Sequence, residues 1–76
     1  MNEEVRALEK MIEVVARMIP KERQARDIYR ATAGTAPNDM TREMFEQLAA
    51  QEQEHEDKLQ ATLETLQTEL KRARAR

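Results

Sequence analysis

Three residues stand where an amphipathic helix calls for Leu or Ile: Glu22, Glu52 and His55. Glu52 and His55 form a Glu-x-x-His pair, and that spacing puts two helical side chains on roughly one face, one turn apart. An isolated carboxylate in an apolar stripe is costly and tends to take up a proton. Two carboxylates and an imidazole in one layer can instead share a cation. Such oxygen-rich ligation with imidazole suits iron or manganese more than a structural zinc. The chain has no Cys, which removes disulfides and thiolate metal sites. A competing, purely structural reading makes the same layer a register-fixing polar layer in a helical hairpin.

Two long helices must position these residues. Val5, Leu8, Ile12, Val15 and Ile19 are spaced by three and four residues, which makes one helical stripe. Glu22 takes the next place, and Ala25, Tyr29 and Thr32 continue the stripe. The spacing predicts a helix over 3–33. Pro20 removes a backbone donor and crowds the carbonyl of Ala16, so a kink is expected there rather than a break, because the stripe stays in phase. Residues 34–39 read as the loop. Gly34 is expected to close the first helix in a left-handed conformation, and Asn38 or Asp39 to cap the second. The second stripe, Phe45, Leu48, Glu52, His55, Leu59, Thr62, Leu66 and Leu70, predicts a helix over 40–73, with Leu63 widening it. The short link makes the two helices antiparallel neighbours.

The depths agree. Glu22 lies 12 residues before Gly34 and Glu52 lies 13 after Asp39. At about 1.5 Å per residue, both sit roughly 18–20 Å from the turn. The polar layer is therefore level across the hairpin, with apolar residues above and below. One chain offers three donors, too few for a two-metal site. Two chains about a two-fold axis offer four Glu and two His, the inventory of the di-metal carboxylate sites of ferritin-like bundles, in which Glu-x-x-His is an established ligand pattern.

Composition agrees with this architecture. The 76 residues form a single domain, 1–76, rich in helix formers, with one Gly and two Pro. So short a chain builds little core alone and often needs a partner. Charged residues make up 37%, yet the net charge is −2 with both signs interspersed, which argues against a nucleic-acid surface. No apolar run is long enough for a membrane span, and the N-terminus lacks the pattern of a secretory signal. A cytoplasmic protein is the expectation.

The stretch KERQARDIYRATAG…MFEQLAAQEQEH carries a specific resemblance. Glu22, Tyr29, Phe45, Leu48, Glu52 and His55 are similar to the half-motif E-x-x-A-x-x-x-Y … F-x-x-L-A-x-x-E-x-x-H of rubrerythrins and ferritin-like proteins. The Glu22–Glu52 separation resembles that of encapsulated ferritins, two-helix chains that dimerise around a ferroxidase site inside encapsulin shells. The larger families carry two half-motifs, whereas this chain carries one. The resemblance implies an all-α antiparallel hairpin that dimerises into a ferritin-like four-helix bundle, as a homodimer or a higher homo-oligomer. It implies two irons per dimer interface, bound or bridged by Glu22 and Glu52 and completed by His55. It gives the Tyr29 hydroxyl a hydrogen bond to a ligand carboxylate; the plainer reading is a half-buried ring with its hydroxyl at the rim. The implied function is ferroxidase activity for iron storage or detoxification, in the cytoplasm or inside a protein nanocompartment. A rubrerythrin-like peroxide reductase and a non-enzymatic helical adaptor are the alternatives.

The remaining charged residues read more plainly. Glu54, Glu56 and Asp57 suit a solvated face, with Glu56, one turn after Glu52, the best candidate for an accessory metal ligand. Met11, Met18, Met40 and Met44 suit core filler. Lys71, Arg72, Arg74 and Arg76 complement a helix C-terminus that is expected to fray.

Overall fold

The computed structural model describes residues 2–76, and among them the chain forms two α-helices, α1 (Asn2–Ala33) and α2 (Asp39–Ala75). They lie side by side as an antiparallel hairpin of 58 × 14 × 11 Å. At about 10 Å per helix, this is one layer, two helices wide. The fold is the expected all-α hairpin.

Helix ends follow local chemistry. Asn38 caps α2 from an extended conformation (φ −151°, ψ 171°), and its Oδ1 accepts from the backbone N–H of Thr41 at 2.9 Å. The Thr41 hydroxyl returns a bond to the same oxygen at 2.9 Å. α1 continues through Pro20 as a single helix, although the ring cannot donate to the Ala16 carbonyl. Ile19 beside it is only 6% exposed, so this turn is anchored by packing on α2.

The expectation for Gly34 needs correction: it does not adopt a positive φ. The end of α1 tightens instead into shorter turns. Thr35 N–H donates to the Thr32 carbonyl at 3.0 Å, Ala36 N–H to that of Ala33 at 3.2 Å, and the Thr35 hydroxyl to Thr32 at 2.8 Å. The last carbonyls are thereby satisfied without a left-handed residue.

The C-terminal end also departs from expectation. α2 stays helical to Ala75, with Ala73 only 3% exposed. Arg74 donates to Glu9 at 2.9 Å and Arg76 to Glu4 at 3.0 Å, so the basic tail clasps the first turns of α1 instead of fraying.

The seam between the helices uses positions that recur every seven residues. On α1 these are Ile12, Ile19, Arg26 and Ala33; on α2 they are Ala49, Glu56, Leu63 and Leu70. Ile19, Ala33, Ala49 and Ala73 are the buried apolar residues. No large side chain among the described residues is fully enclosed. Met11, Val14, Met18, Ile28 and Met44 stay exposed, and Met40 sits exposed in the first turn of α2. The methionines therefore do not fill the core of the single hairpin. A groove lined by Lys10, Met11, Val14, Val15, Thr62 and Leu66 runs along one side. Among the described residues, no helix is long and apolar enough to cross a membrane.

Gly34 yields a test of the corrected helix end. A Cβ placed there would meet the Ala31 carbonyl oxygen at 3.4 Å, an ordinary contact. Gly34→Ala is expected to stabilise the protein by about 0.4–1 kcal/mol by restricting the unfolded chain. Urea unfolding at matched protein concentration measures this, and destabilisation would show that the turn needs glycine.

Candidate metal centre

The hairpin brings Glu22, Glu52 and His55 together at mid-length. One donor atom from each lies within 4.8 Å of the others. His55 Nδ1 is 3.3 Å from Glu22 Oε2 and 3.7 Å from Glu52 Oε2. With metal–donor bonds of about 2.1 Å, donors of one ion stand about 3.0 Å apart at right angles and about 4.2 Å apart when opposite. Both His55 separations fall in this range, and all three donors lie close enough for small side-chain shifts to bring them around one cation.

The group is half open. The side chains of Glu22 and Glu52 are 17% and 20% exposed, whereas His55 is 55% exposed. Val15 lies two turns before Glu22, and Thr62 two turns after His55. The apolar groove therefore opens on the same side as the ligands. With its proton on Nδ1, His55 donates to Glu22; with the proton on Nε2, the Nδ1 lone pair faces both carboxylates and can take a cation.

Glu52 is held above the ordinary carboxylate range. A hydrogen bond with Glu22 is the main cause, followed by burial and repulsion from the Glu22 charge, against an opposing pull from His55. Two carboxylates that face each other in this way favour keeping a proton until a cation replaces it.

Tyr29 and Glu56 lie outside this group. The Tyr29 ring packs on Phe45, with centroids 6.3 Å apart and planes tilted by 46°. Among the described hydrogen bonds, its hydroxyl donates to none of the three ligands. Two helical turns, about 10.5 Å, separate it from Glu22 along the axis.

Glu56 differs most from expectation. It is buried, at 8% exposure, and is not part of a solvated face. Arg23 Nε donates to one carboxylate oxygen at 2.9 Å and Arg26 Nη1 to the other at 3.0 Å. Arg26 Nη1 also donates to Gln53 Oε1 at 2.8 Å, and Gln53 passes the chain on to Asp57 at 3.1 Å. Guanidinium groups thus occupy the position proposed for an accessory cation. A signal for this cluster was present in the sequence. Arg26 follows Ile19 by seven residues and Glu56 follows Ala49 by seven, so each charge replaces a core residue.

The raised Glu52 proton affinity sets a pH dependence. The folded state binds this proton more tightly than the unfolded chain does. In chelator, stability therefore falls as pH rises from the ordinary carboxylate value through the raised Glu52 value. Glu52→Gln is expected to flatten the slope of urea midpoint against pH in that window. An unchanged slope would mean that Glu22 and Glu52 do not interact.

No curated protein and no solved structure matches the chain. Residues 13–76 match the family model for Rubrerythrin, a stretch that contains Glu22, Glu52 and His55 and most of both helices. The chain belongs to the rubrerythrin family of ferritin-like proteins.

Proposed function

We propose that the protein is a ferroxidase that oxidises Fe(II) at a two-iron site shared by two copies of the chain. The observation that carries this reading is the convergence of Glu22, Glu52 and His55 on one point at an open, apolar-flanked face. A two-fold axis presents the same patch twice. Four carboxylates and two imidazoles then surround two ions. The exposed Met11, Val14 and Met18 and the apolar groove give the second hairpin a surface to cover.

The chain's residues account for the chemistry. Anionic carboxylate oxygens favour Fe(III) over Fe(II), so Glu22 and Glu52 drive oxidation of the substrate. Their four charges in the dimer balance two Fe(II) ions, which relieves the repulsion between Glu22 and Glu52. His55 adds a neutral donor from the open side. Val15 below the layer and Leu48 above it limit water. Each Fe(II) gives one electron to dioxygen, which takes two protons and leaves as hydrogen peroxide. With peroxide as oxidant, two Fe(II) and two protons yield two waters. One hairpin layer encloses no mineral cavity, so oxidised iron passes to storage elsewhere. A cytoplasmic setting inside an encapsulin shell rests on the resemblance of the Glu22–Glu52 spacing to encapsulated ferritins. Manganese suits the same donors.

The family match favours a second reading, peroxide reduction of the rubrerythrin kind. The sequence has no Cys for a thiolate iron centre, so a separate donor supplies the electrons in that case.

Aerobic addition of Fe(II) is expected to produce a near-ultraviolet absorbance with a solution mass of twice 8.9 kDa or more. Glu52→Ala and His55→Ala should each fall to the protein-free background. Parent-like oxidation by both variants would refute the site. Peroxide use far outrunning dioxygen use would favour the second reading, and a dimer indifferent to iron and chelators would make the protein a helical adaptor.

A further inference from the structure

The metal reading leaves the cluster of Glu56, Arg23, Arg26 and Gln53 without a task, yet it is the most deeply set charge in the hairpin. The Glu56 side chain is 10% exposed and that of Arg26 is 17% exposed. Arg23 follows Glu22 directly, and Arg26 lies one turn after it. Glu56 follows His55 directly and lies one turn after Glu52. The cluster therefore joins the turn of α1 that carries Glu22 to the turn of α2 that carries Glu52 and His55. It does so on the flank away from the open face.

An apolar seam would pack there with less constraint. Replacing a buried ion pair with apolar residues of similar volume is often neutral or stabilising. Stability alone therefore gives little reason for charge at these positions. Register does. A seam repeating every seven residues can match itself in shifted alignments, and a single buried polar layer removes that freedom. The link at residues 34–38 fixes only the upper end, roughly 18–20 Å away along the helices. The nearest matching alignment is a slip of one repeat, which would move Glu22 by about 10.5 Å relative to its partners, more than the 4.8 Å within which the three donors now lie.

We propose that the Glu56–Arg23–Arg26 cluster is a positioning device that locks the register of the two ligand-bearing turns before any metal arrives. It rests on the metal-site reading for its purpose, but the register itself is a property of the metal-free protein. Glu56, on α2, holds α1 through its two oxygens, one per arginine. Gln53 braces Arg26 from the neighbouring turn of α2. Glu22, Glu52 and His55 are thereby left to face each other without the cation having to draw the helices into line.

The test uses the full chain and a variant in which both seam partners become apolar, Arg26→Leu/Glu56→Leu. Two readouts are taken. Co(II) binding is followed by its visible absorption. The cross-helix distance is measured without metal, by electron spin resonance between labels on cysteines placed at the exposed positions Gln24 and Ala61, with labelled chains diluted in unlabelled ones. The double variant is expected to unfold no more easily than the parent. Its Co(II) affinity should nevertheless fall about 10- to 100-fold, the usual effect of losing support around metal ligands. Its distance distribution should broaden or shift relative to the parent. Parent-like affinity and distance overturn the proposal. Lost affinity with an unchanged distance overturns it too, because the cluster would then act through charge. If the double variant does not fold, the same two readings on Glu56→Gln decide in the same way. No Co(II) uptake by the parent would refute the metal-site reading itself, while the distances, which need no metal, still support or overturn the register claim.

Discussion

Charge set inside a helical seam has to be compensated, and the middle of this hairpin is arranged around that requirement. Glu22 and Glu52 face each other closely enough that Glu52 holds its proton more tightly than a free carboxyl would. One turn away, Glu56 is more deeply buried, but it is fully satisfied by Arg23 and Arg26. The same layer thus contains one carboxylate with built-in countercharge and two without it. The uncompensated pair lies beside an exposed imidazole, on the side of the hairpin that remains open. A divalent cation resolves this arrangement where an arginine does not, because it binds several anionic oxygens at once and leaves room for a second set of ligands.

The rest of the fold is subordinate to that layer. Capping by Asn38 and the clasp of Arg74 and Arg76 on Glu9 and Glu4 close the hairpin at its two ends. Neither end reaches the middle. Small residues along the seam, Ala33, Ala49 and Ala73, bring the helices close but enclose no large side chain. What results is a flat, two-helix layer whose apolar surface is only partly used. A hydrophobic core of ordinary density needs a second layer against this face.

Much of this was legible in the sequence, and the failures have a common origin. The stripe through Val5, Leu8, Ile12, Val15, Ile19, Glu22, Ala25, Tyr29 and Thr32 is half-buried or buried throughout. The three donors converge as their depth count required. A single stripe, however, describes a helix with one neighbour. A bundle helix has adjoining buried lines, and the line through Ile19, Arg26 and Ala33 runs beside that stripe. A single stripe leaves Glu56 on a solvated face, whereas its seven-residue spacing from Ala49 puts it in the seam. Residue type alone suggests a left-handed Gly34, whereas the Thr32 and Ala33 carbonyls find partners in tighter turns. Position in the chain suggests a fraying basic tail, but Arg74 and Arg76 meet Glu9 and Glu4, which only the antiparallel pairing brings near.

If two copies meet at the open face as proposed, the two carboxylate environments tie assembly to metal binding. A seam that contained only Glu56 and its arginines would be complete as a hairpin and would gain nothing from a cation. A hairpin that contained only Glu22, Glu52 and His55 would bear the repulsion without a fixed register. With both present, the helices are aligned at a cost met inside one chain, and the remaining charge can be neutralised only at the open face. Whatever covers that face must keep the carboxylates solvated, protonate them or supply positive charge. A second copy brings two more carboxylates and so deepens the need for cations, while two divalent ions cancel the four charges completely. Ions that bound such a dimer and not the unfolded chain would add to its stability by mass action. On the proposed reading, the uncompensated charge of Glu22 and Glu52 is what would couple a second copy to metal binding.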